Sequence, residues 1–126
     1  MEMYVSVGFI FDDRALQERV TKALDLFNMN SGQDYSMIPD KIKEFESRMS
    51  ALLGDVQIFD DRGYYEYLEG LEELKVNKSG SVRLRLTTGA LGREFASSLK
   101  RLLQRLGAKK LTVRVTSDAD DDDEGE

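Results

Sequence analysis

Two acidic pairs, Asp12-Asp13 and Asp60-Asp61, are the first places where this chain could do chemistry, because paired carboxylates bind hard cations such as Mg²⁺ or Ca²⁺. Each pair sits in the same pentapeptide, Ile10-Phe11-Asp12-Asp13-Arg14 and Ile58-Phe59-Asp60-Asp61-Arg62. Adjacent side chains at the end of a strand point to opposite faces, so each pair offers one well-placed ligand, and helix capping or turn formation is the better reading. Thr87-Thr88-Gly89-Ala90-Leu91-Gly92-Arg93 lies between a strand pattern and a helix pattern, where backbone N–H groups can meet an anion. It lacks both the Gly-Lys-Ser/Thr ending of a phosphate loop and the full G-x-G-x-x-G spacing, so it reads as a helix start capped by Thr88. Ser97 and Lys100 have the spacing of a serine-lysine pair but fall within a helix pattern with no base or oxyanion context. Asp118, Asp120 and Asp122 alternate as in a calcium loop, yet the turn glycine and flanking helices are missing.

The chain contains no Cys and no His. Thiolate catalysis, disulfides, Cys-ligated zinc and imidazole acid-base chemistry are therefore excluded. No residue is selected as catalytic or metal-ligating and no cofactor is expected; a carboxylate-based, metal-dependent enzyme is the weakest of three functional readings.

The elements that must carry any site follow from periodicity. Val5, Val7, Phe9 and Phe11 alternate with Tyr4, Ser6, Gly8 and Ile10, the period of a strand. Asp12 or Asp13 can cap a helix with Leu16, Val20, Ala23, Leu24 and Phe27 on its apolar stripe. A loop over 30–36 leads to a second helix with Pro39 in its first turn, an apolar stripe of Ile38, Ile42, Phe45, Met49 and Leu52, and Gly54 as its stop. Val56–Phe59 and Tyr64–Leu68 read as a hairpin about Asp60-Asp61-Arg62-Gly63, although Tyr64, Leu68, Leu71 and Leu74 also lie at helical spacing. If the repeated pentapeptide marked a duplication, 64–75 would be helical like 14–27. A second hairpin joins Leu74 and Val76 to Val82, Leu84 and Leu86 through Asn77-Lys78-Ser79-Gly80. A long helix from Thr88 or Gly89 with Leu91, Phe95, Leu99, Leu102, Leu103 and Leu106 buried, stopped by Gly107, precedes a last strand of Leu111, Val113 and Val115.

The expected fold is α+β: an antiparallel or mixed sheet of five to six strands with about three helices mainly on one face. A chain of 126 residues with 40% hydrophobic and 33% charged residues supports one core, assigned to a domain at 1–116, followed by a disordered acidic tail at 117–126. No apolar run is long enough to cross a bilayer or to form the core of a secretion signal, so a cytoplasmic location is expected, with no membrane partner.

Charge is segregated along the chain. Residues 1–77 hold 8 basic against 16 acidic side chains, 78–116 hold 10 against 1, and 117–126 hold none against 7, for a net charge of −6. Two binding surfaces result. The first is acidic, formed by Asp60, Asp61, Glu66, Glu69, Glu72 and Glu73, and suits a small inhibitor of the immunity or anti-defence type that occupies the basic, often nucleic-acid-binding, surface of a protein partner as a nucleic-acid mimic. The second is basic: Arg83 and Arg85 alternate with core positions on one strand, and Lys110 and Arg114 on another. If those strands are neighbours, with Tyr65 and Tyr67 beside them, arginine and aromatic side chains share an open face suited to single-stranded nucleic acid, and the acidic tail is an internal competitor. The charged exterior of the long helix, Arg93, Lys100, Arg101 and Arg105, reads as a solvated face. An open sheet edge also allows a homodimer.

Overall fold

A computed structural model describes residues 3–28, 38–54 and 68–117. Strand β1 (Met3–Ile10) leads into helix α1 (Arg14–Leu24) and a 3₁₀ turn at Asp25–Phe27; helix α2 (Ile38–Leu53) follows, then strands β2 (Gly70–Val76) and β3 (Val82–Thr88), helix α3 (Gly92–Leu106) and strand β4 (Lys109–Ser117).

The four strands form one antiparallel sheet in the order β2-β3-β1-β4. The segment from β1 to β2 and the segment from β3 to β4 each run from a strand through helix to a strand one place removed, and each leaves room for a strand of the other. These are two interleaved split βαβ units, the arrangement of ferredoxin-like domains. Four strands among the described residues replace the expected five to six. Of the first expected hairpin, residues 56–67 lie outside the described residues, and its last residue, Leu68, is buried and not in a strand. The strand at Gly70–Val76 stands where a duplication of 14–27 would require helix, so the shared pentapeptide does not mark one.

Period-two burial makes the sheet one-sided. Met3, Val5, Val7 and Phe9 on β1, and Val82, Leu84, Leu86 and Thr88 on β3, are buried, while Ser6, Arg83 and Arg85 between them are exposed. The buried set meets Val20, Ala23 and Leu24 of α1, Ile42, Phe45 and Met49 of α2, and Phe95, Leu99, Leu102 and Leu103 of α3 in a single core. All three helices therefore lie on one face of the sheet, as expected. Phe27 closes the core against Phe45, with ring centroids 5.1 Å apart. Among the described residues no helix is long and apolar enough to cross a membrane.

Helix ends show where local chemistry decides. Asp13 caps α1, its carboxylate accepting a hydrogen bond from the Leu16 N–H at 3.2 Å. Gly54 and Gly107 follow α2 and α3 with φ of 89° and 99°, left-handed positions that glycine takes without a Cβ clash. Thr88, in contrast, does not open α3. It is the last residue of β3, and its hydroxyl donates to the Met3 carbonyl at 3.1 Å, which satisfies a buried polar group across two strands. The helix begins instead at Gly92, with no side-chain cap from Leu91, and its backbone approaches Thr88 closely: a Cβ added at Gly92 would collide with Thr88 Oγ1 and stand 3.2 Å from Met3 Cβ.

Gln17 fixes the end of β1 to the β2–β3 turn. Its side-chain oxygen accepts from the Phe11 N–H at 2.8 Å, and its side-chain nitrogen donates to the Gly80 carbonyl. Replacing Gly92 with Ala should destabilise the fold by about 1–3 kcal/mol through overpacking at the Thr88–Met3 contact, read as a lower urea midpoint with unchanged m-value. An unchanged midpoint would show that this approach is not tight.

Candidate functional site

The face of the sheet that carries no helix is built from the outward positions of all four strands. Pairing sets them in rows. One row runs Glu73, Arg85, Ser6, Arg114; the next runs Lys75, Arg83, Gly8, Thr112; and on the other side of the first lie Thr87, Tyr4 and Thr116.

The expectation that the strands bearing Arg83, Arg85 and Arg114 are neighbours is not met. β1 lies between β3 and β4, so Arg85 and Arg114 flank Ser6 from opposite sides. With strands about 4.8 Å apart, their backbones are about 10 Å apart, a separation that turns one basic ridge into two ridges with a trough between them. The trough has a floor of small residues, Ser6 and Gly8. Gly8 matters here, since a Cβ on it would stand 3.0 Å from the Thr112 hydroxyl.

Lys110 is a second correction. The β1–β4 register shifts between Gly8 and Ile10, and Lys110, at φ 53°, occupies the irregular position. The extra residue breaks alternation, so Lys109 takes the place opposite Ile10 and pairs with Asp12 just beyond β1. Lys110 therefore does not continue the row pattern of Thr112 and Arg114.

Arg85 is the most constrained cation. Its guanidinium carbon lies 4.3 Å from the centroid of the Tyr4 ring, diagonally across the β1–β3 pair, and its Nε is 3.2 Å from Glu72. Glu72 reaches it because the β2–β3 register also shifts, between Leu71 and Glu73. Glu73 pairs with Lys75 at 3.0 Å on the same strand. Arg83 and Arg114 are exposed and make no ion pair among the described residues. The face thus holds one arginine placed over an aromatic ring and two exposed arginines with no ion pair among the described residues.

Tyr65 and Tyr67 lie outside the described residues, and among the described residues Tyr4 is the aromatic group of this face. Its position was available in the alternation of β1, on the side opposite Val5 and Val7; what alternation alone does not give is the strand that stands beside it. Of the acidic set, Asp60, Asp61 and Glu66 lie outside the described residues, Glu69 is half-buried, and Glu72 and Glu73 are exposed but paired with Arg85 and Lys75. Glu72 and Glu73 therefore border the basic face. Arg93, Arg101 and Arg105 lie on α3, on the helical layer; Lys100 of the same helix lines the cavity of the open face together with Ser6, Gly8, Arg83, Arg85 and Arg114. Among the described residues no three acidic side chains gather to hold a metal ion.

Protein-family models, curated proteins and solved structures were each compared with this chain, and none matches. Functional inference therefore rests on the face itself. Because the Arg85–Glu72 pair is about half exposed, Glu72→Gln should change the unfolding free energy by less than about 1 kcal/mol in urea titration. A larger loss would mean that the pair is a structural support of β2 rather than a means of orienting Arg85.

Proposed function

We propose that the protein is a non-catalytic binding module for single-stranded nucleic acid, held on the helix-free face of the sheet. The observation that carries this reading is the trough between Arg83 and Arg85 on β3 and Arg114 on β4, floored by Ser6 and Gly8 and bordered by the Arg85–Tyr4 cation–π contact.

Each component answers a requirement of the ligand. A single strand offers phosphates and unstacked bases. Phosphates are met by guanidinium groups, which donate in a fixed fork, and bases by flat surfaces on which they stack regardless of sequence. Four-stranded sheets that recognise RNA place aromatic side chains on the sheet surface for this purpose. Small floor residues let backbone or base come close to the strand. A double helix fits less well, since a broad sheet presents no helix or narrow ribbon to enter a groove.

The remaining charge of the chain sets the conditions of binding. The net charge is −6 although residues 78–116 hold 10 basic side chains against 1 acidic, so affinity must come from a local field and fall steeply with salt. Residues 118–126 follow β4 directly and contain seven carboxylates, and we assign them the role of an internal competitor for the arginines. The reading in which the acidic residues occupy a basic protein partner gains less support, because Glu72 and Glu73 are already neutralised by neighbours on the face.

The test is fluorescence anisotropy of labelled oligothymidylate and oligouridylate across a salt series. Full-length protein should bind at low salt, with each contacting arginine contributing about 0.7 to the slope of log affinity against log salt. Replacing Arg83, Arg85 and Arg114 together with Ala should weaken binding at least about tenfold, a loss of about 1.4 kcal/mol or more. A chain ending at Ser117 should bind more tightly than the full chain, with the gain shrinking as salt rises. Failure of both chains to bind at low salt, or binding unchanged by the triple substitution, would overturn the proposal.

A further inference from the structure

We propose that Lys100 of α3 is a further contact for the bound single strand, holding a phosphate just beyond the outer edge of β4, so that the ligand crosses the sheet from β3 over β1 and leaves it over β4. This rests on the single-strand reading above and adds to it the direction of the ligand and a residue from the helical layer.

The trough belongs to an open hollow of about 980 Å³. Among the described residues the hollow follows two rows of the face, those through Ser6 and Gly8, and takes in none of the row of Thr87, Tyr4 and Thr116. Its length therefore runs across the strands, about 14 Å from β2 to β4, and not along any one of them. Lys100 lines it as well. The helix that carries Lys100 packs on β4 and β1, and β4 is an outer strand, so the lysine side chain comes to the hollow past the edge of β4. Its stem has the reach for this, since lysine lays its methylenes along apolar surface and keeps the ammonium in water. The half-buried Leu111, Val113 and Val115 of β4, which also line the hollow, are the apolar surface at that edge.

The two ends of the hollow differ in charge. At the β2 end Glu73 is paired with Lys75, and Glu72 with Arg85, so carboxylates stand where a phosphate would have to pass. At the β4 end Arg114 and Lys100 are exposed and make no ion pair among the described residues. A polyanion seated on Arg85 is thus repelled on the β2 side and attracted on the β4 side, which sets the way it leaves the sheet. The chemistry of the last contact suits an exit. An ammonium is a compact charge with three rotatable donors, able to hold a phosphate whose position is not fixed, whereas the guanidinium fork of Arg114 demands one geometry. Charge on α3 alone does not account for this placement: Arg93, Arg101 and Arg105 carry the same charge on the same helix and do not line the hollow.

Arg101 supplies the control, because it is exposed, adjacent in sequence and absent from the hollow. In anisotropy titrations of the full chain with labelled oligothymidylate, Lys100→Ala should weaken binding at least about threefold and lower the slope of log affinity against log salt by about 0.7, the share of one phosphate contact on a single strand. Arg101→Ala should change affinity by less than about twofold and leave the slope as it is, since a charge that touches no phosphate acts only through a screened field. Thermal melts of both variants should match the unmodified protein, as both positions are exposed. Equal losses in the two variants, or no loss with Lys100→Ala, would overturn the proposal; the single-strand reading would still stand if joint replacement of Arg83, Arg85 and Arg114 weakened binding. An unmodified chain that does not bind oligothymidylate at low salt would overturn both.

Discussion

The structure depends on a division of labour within one strand. β1 pairs on one side with β3 and on the other with β4, so it is the strand that stands between those bearing Arg83, Arg85 and Arg114. Its inward residues, Val5, Val7 and Phe9, are buried in the core under three helices, and its two central outward residues, Ser6 and Gly8, are small. The first property holds the fold together. The second keeps the centre of the opposite face low, so that the charged side chains of the flanking strands stand up on either side of it. Any larger outward residue at Ser6 or Gly8 would fill the space between the arginines without disturbing the hydrophobic core.

Charge placement follows from the same constraint. Because a strand exposes every second residue, the basic block at 78–116 is divided by the fold into two populations. Arg83, Arg85 and Arg114 are carried to the helix-free face, while Arg93, Arg101 and Arg105 are carried to the exterior of α3. The first group converges, and Lys100 of α3 joins it in lining the same cavity. Register shifts at Leu71–Glu73 and at Gly8–Ile10 refine it, bringing Glu72 to Arg85 and drawing Lys109 away to Asp12. The face is thus neither a uniform basic patch nor a set of closed ion pairs: Arg85 is held in place, and Arg83 and Arg114 retain their donors.

Much of this was readable from residue order. The alternation of β1, the Asp13 cap, the stripe of α2 with its Gly54 stop, the β2–β3 hairpin about Asn77-Lys78-Ser79-Gly80, and the Gly107 end of α3 are local patterns, and local patterns record local structure. Strand order is not local. Alternation shows which side of β3 and β4 is polar, but it does not say that β1 comes between them, and so Tyr4, Ser6 and Gly8 were legible as outward residues without being legible as the middle of a site. The Thr88 hydroxyl and the Lys110 backbone were misread for a related reason: a threonine before a glycine-rich helix start resembles a cap until a carbonyl from another strand claims it, and a bulge is decided by the partner strand.

The central claim is that ligand binds across β1 between β3 and β4, and backbone amide chemical shifts followed by nuclear magnetic resonance during titration with unlabelled oligothymidylate test it most directly. The account predicts shifts concentrated at Tyr4–Gly8, Arg83–Thr87 and Thr112–Thr116, with α1 and α2 unchanged. Shifts centred on the exposed side of α3, or no shifts at low salt, would contradict it.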